Sequence, residues 1–181
     1  MEYKILTIAN KTEENFLRRK AAVFNFSNLS KKELDELIKK MRAIMKVAIG
    51  VGLSANQIGL DFQLFVAEIP QKKGTPKFYA IFNPKIIKAS EETEVLEEGC
   101  LSVPMIYGEV ERSKKITLEG LDKNQKKIRI KAFGLLARVF QHEVDHLNGI
   151  LFIDRAKNLK QYTGEPVDSK NNTRQKNSSA I

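Results

Sequence analysis

Leu34, Leu37, Ile38, Met41, Ile44 and Met45 recur at three- and four-residue intervals. That spacing stacks side chains on one face of an α-helix. Ser30 and Glu33 fit a reciprocal capping box, and Leu29 is placed to pack onto Leu34. The pattern predicts a helix over residues 30–45 whose apolar stripe is core. Gly50 to Gly59 is punctuated by glycine and reads as a loop. Phe62 to Ile69 and Phe78 to Phe82 are rich in β-branched and aromatic residues and read as strands, with Asn83-Pro84 interrupting. Ile116 and Leu118 alternate with polar neighbours, as do Ile128 and Ile130. The turn-like Asp122-Lys123-Asn124-Gln125 between them predicts a hairpin. Gly134 opens a second helix with Leu135, Leu136, Val139, Phe140 and Leu147 as apolar members, and Asn148-Gly149 closes it. Ile150 to Ile153 reads as a short buried strand. Two separated helices among strands predict an α+β fold.

The pattern weakens after Asp154. Gly164, Pro166 and many Asn, Ser and Lys residues offer too little apolar surface to offset the entropy of ordering. One catalytic domain over residues 1–154 and a basic, polar, largely disordered tail over 155–181 are expected, with the last ~15 residues mobile. No apolar run approaches the roughly 18 residues of a membrane span, and the opening residues show no signal-peptide core. One cysteine in 181 residues cannot staple its own chain, so a reducing cytoplasm is the expected location. Net charge is +9. Residues 1–50 carry +5 of it and residues 155–181 carry +4. A solvated basic surface is the simplest account. Attraction to a large polyanion such as RNA is the sharper one. No basic motif interleaved with aromatics is present, so direct nucleic-acid recognition is not expected.

The chain has only two histidines, in His142-Glu143-Val144-Asp145-His146, and its only cysteine is Cys100. On a helix, positions i and i+4 differ by about 40° and rise about 6 Å, so both imidazoles can reach one ion. Glu143, beside the first of them, can contact a water activated at the metal. This is the HExxH arrangement. Two ordinary surface histidines would give the same five letters. A third ligand must come from elsewhere. The metzincin continuation would put a histidine at position 152, which is Phe152, and no third histidine exists in the chain. Glu165 and Cys100 remain. A Cys-His-His set leaves the fourth position open, as catalytic metals require. Thiolate plus imidazole suits Fe(II) or Zn(II) better than Mg(II) or Ca(II).

Three segments resemble the peptide deformylase family. Gly50-Val51-Gly52-Leu53-Ser54-Ala55-Asn56-Gln57-Ile58-Gly59 is similar to its GVGLAAxQIG. Glu97-Glu98-Gly99-Cys100-Leu101-Ser102-Val103-Pro104 is similar to EEGCLSxP, and Gln141 to Gly149 is similar to QHExDHLxG. They occur in the family's order. The resemblance implies antiparallel sheets packed around a central helix carrying HExxH, with a long N-terminal helix. It implies hydrolysis of the N-formyl group from new polypeptides that begin with formyl-methionine. It also implies Cys100, His142 and His146 as metal ligands, with Fe(II) native and Zn(II), Ni(II) or Co(II) as substitutes. Glu143 would move the proton. Gln57 and the Leu101 backbone N–H would stabilise the oxyanion. Gly52 would align the substrate as an added strand, Val51, Leu96 and Val139 would line the methionine pocket, and Gly99 and Tyr107 would also contact the substrate. Arg112 either pairs with Glu98 behind the ligands or is an ordinary surface arginine.

Ser54 stands where alanine is commoner, and Asn56 where proline often is. Both departures bear on loop rigidity more than on chemistry. Tyr107 replaces an arginine of some members, and the entry Ala132-Phe133-Gly134 lacks an acidic cap. A monomer is expected, with transient ribosome association through the basic surface. Two rival readings are a zinc endopeptidase using Glu165 and a catalytically silent homologue that binds ribosomes.

Overall fold

The computed structural model describes residues 3–71, 74–162 and 179–180. Three α-helices are present among them: α1 (Lys11–Leu17), α2 (Lys31–Val47) and α3 (Gly134–Leu147). The nine strands are β1 (Gly52–Ser54), β2 (Leu64–Ile69), β3 (Lys77–Ala89), β4 (Thr93–Cys100), β5 (Val103–Ser113), β6 (Lys115–Leu121), β7 (Lys127–Phe133), β8 (Lys157–Gln161) and β9 (Ser179–Ala180). They form two antiparallel sheets, ordered β1-β2-β3-β6-β7 and β4-β5-β8-β9.

The helix expected at residues 30–45 is α2, with both halves of its Ser30–Glu33 capping box made. The expected hairpin is β6–β7, and α3 runs between the expected start and stop. β2 explains how the layers meet. Successive strand residues point to opposite faces. Phe65, Ala67 and Ile69 therefore join one core with Val139, Phe140 and Val144 of α3. Leu64 and Val66 join another with Leu37, Met41 and Met45 of α2. A strand covered on both faces reads as a nearly continuous apolar run, which is how Phe62 to Ile69 reads. Gly52 pairs with Ala67 and Ser54 with Phe65. Among the described residues, no strand lies beside the outer edge of β1.

Several expectations are corrected. The Gly50–Gly59 segment is not irregular: it holds β1 and a 3-10 turn over Ala55–Ile58, closed by Gly59 at φ 79°. Pro84 does not end its strand. β3 continues to Ala89 because the register shifts between Phe82 and Lys85, and a bulge tolerates a residue without an N–H. The segment Ile150–Ile153 is not a strand. Asp154 accepts a hydrogen bond from the Leu151 N–H at 2.8 Å and closes a 3-10 turn over Phe152–Asp154. α1, capped by the Asn10 side chain, and the long β4–β5 hairpin carry no apolar periodicity in the sequence. Lys157–Gln161, assigned above to the tail, pair with β5 as β8. Arg155, Ala156, Tyr162, Ser179 and Ala180 are described as well; the rest of the tail, Glu165 included, lies outside the described residues. No helix among the described residues is long and apolar enough to cross a membrane.

Candidate metal centre and active site

α3 presents His142 and His146 one turn apart, their rings 4.9 Å between centroids. Cys100 closes β4, just before a tight return to β5 at Val103. Its Sγ lies 3.1 Å from His146 Nε2. The ligand atoms of Cys100, His142 and His146 all fall within 4.8 Å of one another. Bonds of about 2.3 Å to sulfur and 2.0 Å to nitrogen would put tetrahedral ligand atoms roughly 3.5 Å apart. The cluster therefore has the span and the donor types of a Cys-His-His site. Burial pushes the Cys100 thiol up, but the imidazoles of His146 and His142 outweigh it and hold the thiol well below its ordinary range. A thiolate is the form that binds metal.

The ligands are held from behind. His142 Nδ1 lies 3.0 Å from Glu98 Oε2. A carboxylate only accepts, so Nδ1 carries the proton and Nε2 is left to ligate. Arg112 grips both Glu98 oxygens, at 2.8 and 3.0 Å, and reaches Asp145 on α3 at 2.6 Å. Arg155 closes on Asp145 with two bonds, at 2.7 and 2.8 Å. Burial alone would raise the Glu98 carboxyl. The His142 bond and the Arg112 guanidinium overcome it and keep Glu98 ionised far below the usual carboxylate range. Arg112 is thus the partner of Glu98 and not a surface arginine.

Glu143 is 3% exposed and turns toward the β1 loop. The Ser54 hydroxyl donates to its Oε2 at 2.7 Å. Burial raises the Glu143 pKa; the charges of His142 and His146 oppose this without cancelling it. A carboxylate made more basic beside a metal site is suited to accept a proton from water. A Cβ on Gly52 would lie 2.3 Å from Glu143 Oε1, so only glycine lets the β1 backbone approach this closely. Gln57 fixes its own amide. Its Oε1 accepts from the Ser54 N–H at 2.9 Å, which turns Nε2 toward Ser102 Oγ at 3.1 Å and Cys100 Sγ at 3.5 Å.

The chain was compared with known proteins against this geometry. A family model described as polypeptide deformylase matches residues 3–162. The chain belongs to the peptide deformylase family. A curated peptide deformylase of Rhizobium meliloti is 46% identical over 130 residues, covering 71% of this chain and 74% of that one. The crystal structure of the Thermotoga maritima enzyme superposes with a TM-score of 0.76 at 36% identity, covering 87% of this chain and 99% of that one. A Met-Ala-Ser-bound class I type b peptide deformylase from Acinetobacter baumannii gives 0.77 at 31% identity, covering 86% and 98%.

As a deformylase the chain hydrolyses the N-formyl group of newly made peptides. A cleft of about 610 Å³ opens over His142 and Glu143. Val51, Gly52, Gln57, Gly99, Leu101, Tyr107 and Val139 line it. Leu96 does not; its side chain is 46% exposed on β4. Gly99 is needed where it stands, because a Cβ there would meet the Tyr107 ring at 2.6 Å. The cluster also has neighbours that the sequence did not single out for it. Ser54 touches the glutamate itself. Asn56 donates from Nδ2 to the His146 carbonyl at 2.6 Å, tying its loop to the last turn of α3. Ser102 orients Gln57. Asp145 and Arg138 hold the ion network. Position within the three motifs could have flagged Ser102 and Asp145; nothing local marks Arg138.

Proposed function

We propose that deformylation takes place at the Cys100–His142–His146 triad, with Fe(II) as the native ion and Zn(II), Ni(II) or Co(II) able to replace it. The observation that carries this reading is that the chain's only thiol and only two imidazoles converge from two separate elements. The ion would supply Lewis acidity and a water acidic enough to attack at neutral pH. The chain's own groups do the rest. Glu143 takes a proton from the attacking water as the new C–O bond forms at the formyl carbon. Negative charge then gathers on the formyl oxygen, where Gln57 Nε2 and the Leu101 N–H donate. One such donor is typically worth ~3 kcal/mol. Glu143 returns the proton to the nitrogen as the C–N bond breaks, leaving formate and a free amino terminus.

The substrate peptide adds to the outer edge of β1, unpaired among the described residues, through Gly52, by backbone hydrogen bonds. Val51, Gly99, Tyr107 and Val139 receive the methionine side chain. Residues 1–154 form one catalytic domain with β8 continuing its smaller sheet, and the chain works as a cytoplasmic monomer. Transient ribosome association is supported by the outer face of β3, β6 and β7. There Lys85 and Arg129 flank Glu119, and Lys88 and Lys131 flank Thr117. An endopeptidase using Glu165 has less support, since the Cys100 sulfur lies close enough to the two imidazoles to serve as the third donor.

The test is formate release from formyl-Met-Ala-Ser by anaerobically purified protein. Glu143→Ala should keep its metal and lose about 10²-fold or more in kcat. Wild-type turnover in that variant would remove Glu143 as the proton carrier. Full metal content without formate release in the wild type would favour the silent homologue.

A further inference from the structure

Resting on the triad proposed above, the geometry points to Arg138 as the positioning residue that sets the separation between the Cys100 thiolate and the two imidazoles. The need for such a residue follows from how the core is divided. α3, which carries both histidines, packs its apolar face on β2, β3, β6 and β7, and no residue of β4 belongs to that core. Cys100 packs instead with Leu17, Val103, Val110, Leu151 and Phe152, a cluster without any residue of α3. The two halves of the ligand set therefore sit in different hydrophobic clusters. Apolar packing, which is non-directional, does not fix their distance.

Polar struts cross the gap instead. Arg138 lies on α3 one turn before His142, so both point to the same side. Its side chain lines the cleft and is 10% exposed. Nη1 donates to Glu98 Oε1 at 2.7 Å and to the Val110 carbonyl at 3.0 Å. Nη2 donates to the Glu94 carbonyl at 2.7 Å. One planar fork thereby holds the start of β4, the middle of β5 and the carboxylate that orients His142. A guanidinium can do this because its donors diverge in a fixed plane; an ammonium cannot reach all three acceptors at once. Arg112 crosses the same gap lower down, from Glu98 to Asp145. With Arg112 still on Glu98, losing the Arg138 donors leaves no buried carboxylate unpaired. A substitution at 138 can then move the ligands without unfolding the chain.

The experiment loads wild type, Arg138→Met and Arg138→Lys with Co(II), whose visible spectrum reports ligand geometry and thiolate bonding. Three readouts are compared: the Co(II) spectrum, the rate of Co(II) loss to excess chelator, and kcat and KM for formyl-Met-Ala-Ser. Far-UV circular dichroism checks the fold. The methionine variant is expected to lose Co(II) about 10- to 100-fold faster, the range for groups that orient metal ligands. Its thiolate-to-cobalt band should shift, and kcat should fall more than KM rises. The lysine variant should recover part of the retention, since it restores a single donor. A folded methionine variant with wild-type spectrum and wild-type chelation rate overturns the proposal. Should that variant not fold, full wild-type retention by Arg138→Lys overturns it equally, because the fork would then be dispensable. A wild type that takes up no Co(II) overturns the triad and this inference together; a binding wild type beside an unchanged variant overturns Arg138 alone.

Discussion

Glu143 and Cys100 show what single side chains contribute. The glutamate was legible from its place beside His142, but its environment was not. Ser54, whose place in the motif bears on loop rigidity more than on chemistry, donates directly to Glu143 Oε2. The sulfur was one of two candidates for the third donor; its Sγ lies 3.1 Å from His146 Nε2, which supports it, while Glu165 lies outside the described residues. Cys100→Ser exchanges a soft thiolate for a hydroxyl that stays protonated at neutral pH. It is expected to lose most of its metal on dialysis, by elemental analysis, with the fold intact. Undiminished metal content would return the third position to another residue.

At the scale of elements, legibility tracked burial chemistry. α2 and β2 announce themselves because their buried positions are apolar. The β4–β5 hairpin does not, because Glu98 is the one buried position of β4, and Gly108 and Arg112 are among those of β5. A strand that buries charge for function has no alternating apolar signature. α2 is also fastened by charge. Glu68 on β2 lies 2.6 Å from Arg42 and 2.9 Å from Lys46. The Arg42 bond, with help from Lys46, lowers its pKa from 4.5 to about 2. A depressed carboxylate stabilises the fold above its ordinary pKa and loses that contribution as pH falls from about 4.5 toward 2. Arg42 and Lys46 are partly solvent-screened, so the effect is about 1 kcal/mol. Glu68→Gln should therefore be less stable than wild type by about that amount in urea at pH 7. The two curves should converge near pH 2; a gap that persists there would assign the loss to something other than charge.

For the whole molecule, the tail offers the clearest division. β8 completes the smaller sheet beside β5, so truncation after Tyr162 should leave formate release within about twofold of wild type. Truncation after Asp154 exposes the β5 edge and should lower the melting temperature. Loss of all activity on truncation after Tyr162, which keeps β8 but removes Glu165, would return Glu165 to consideration. Sequence by itself determined the pairing of His142 with His146 on one helix face, because a helical turn is local and its spacing is written in five consecutive letters. It also determined which stretches bury apolar faces, through their periodicity. Only the tertiary structure decided that a sulfur 46 residues from His146 reaches it, that Glu98 is clamped by two arginines, and that Ser54 meets Glu143. Those contacts depend on strand register and on how two cores are set against each other, and no local pattern encodes a distance between elements that fold apart and meet only when the sheets close.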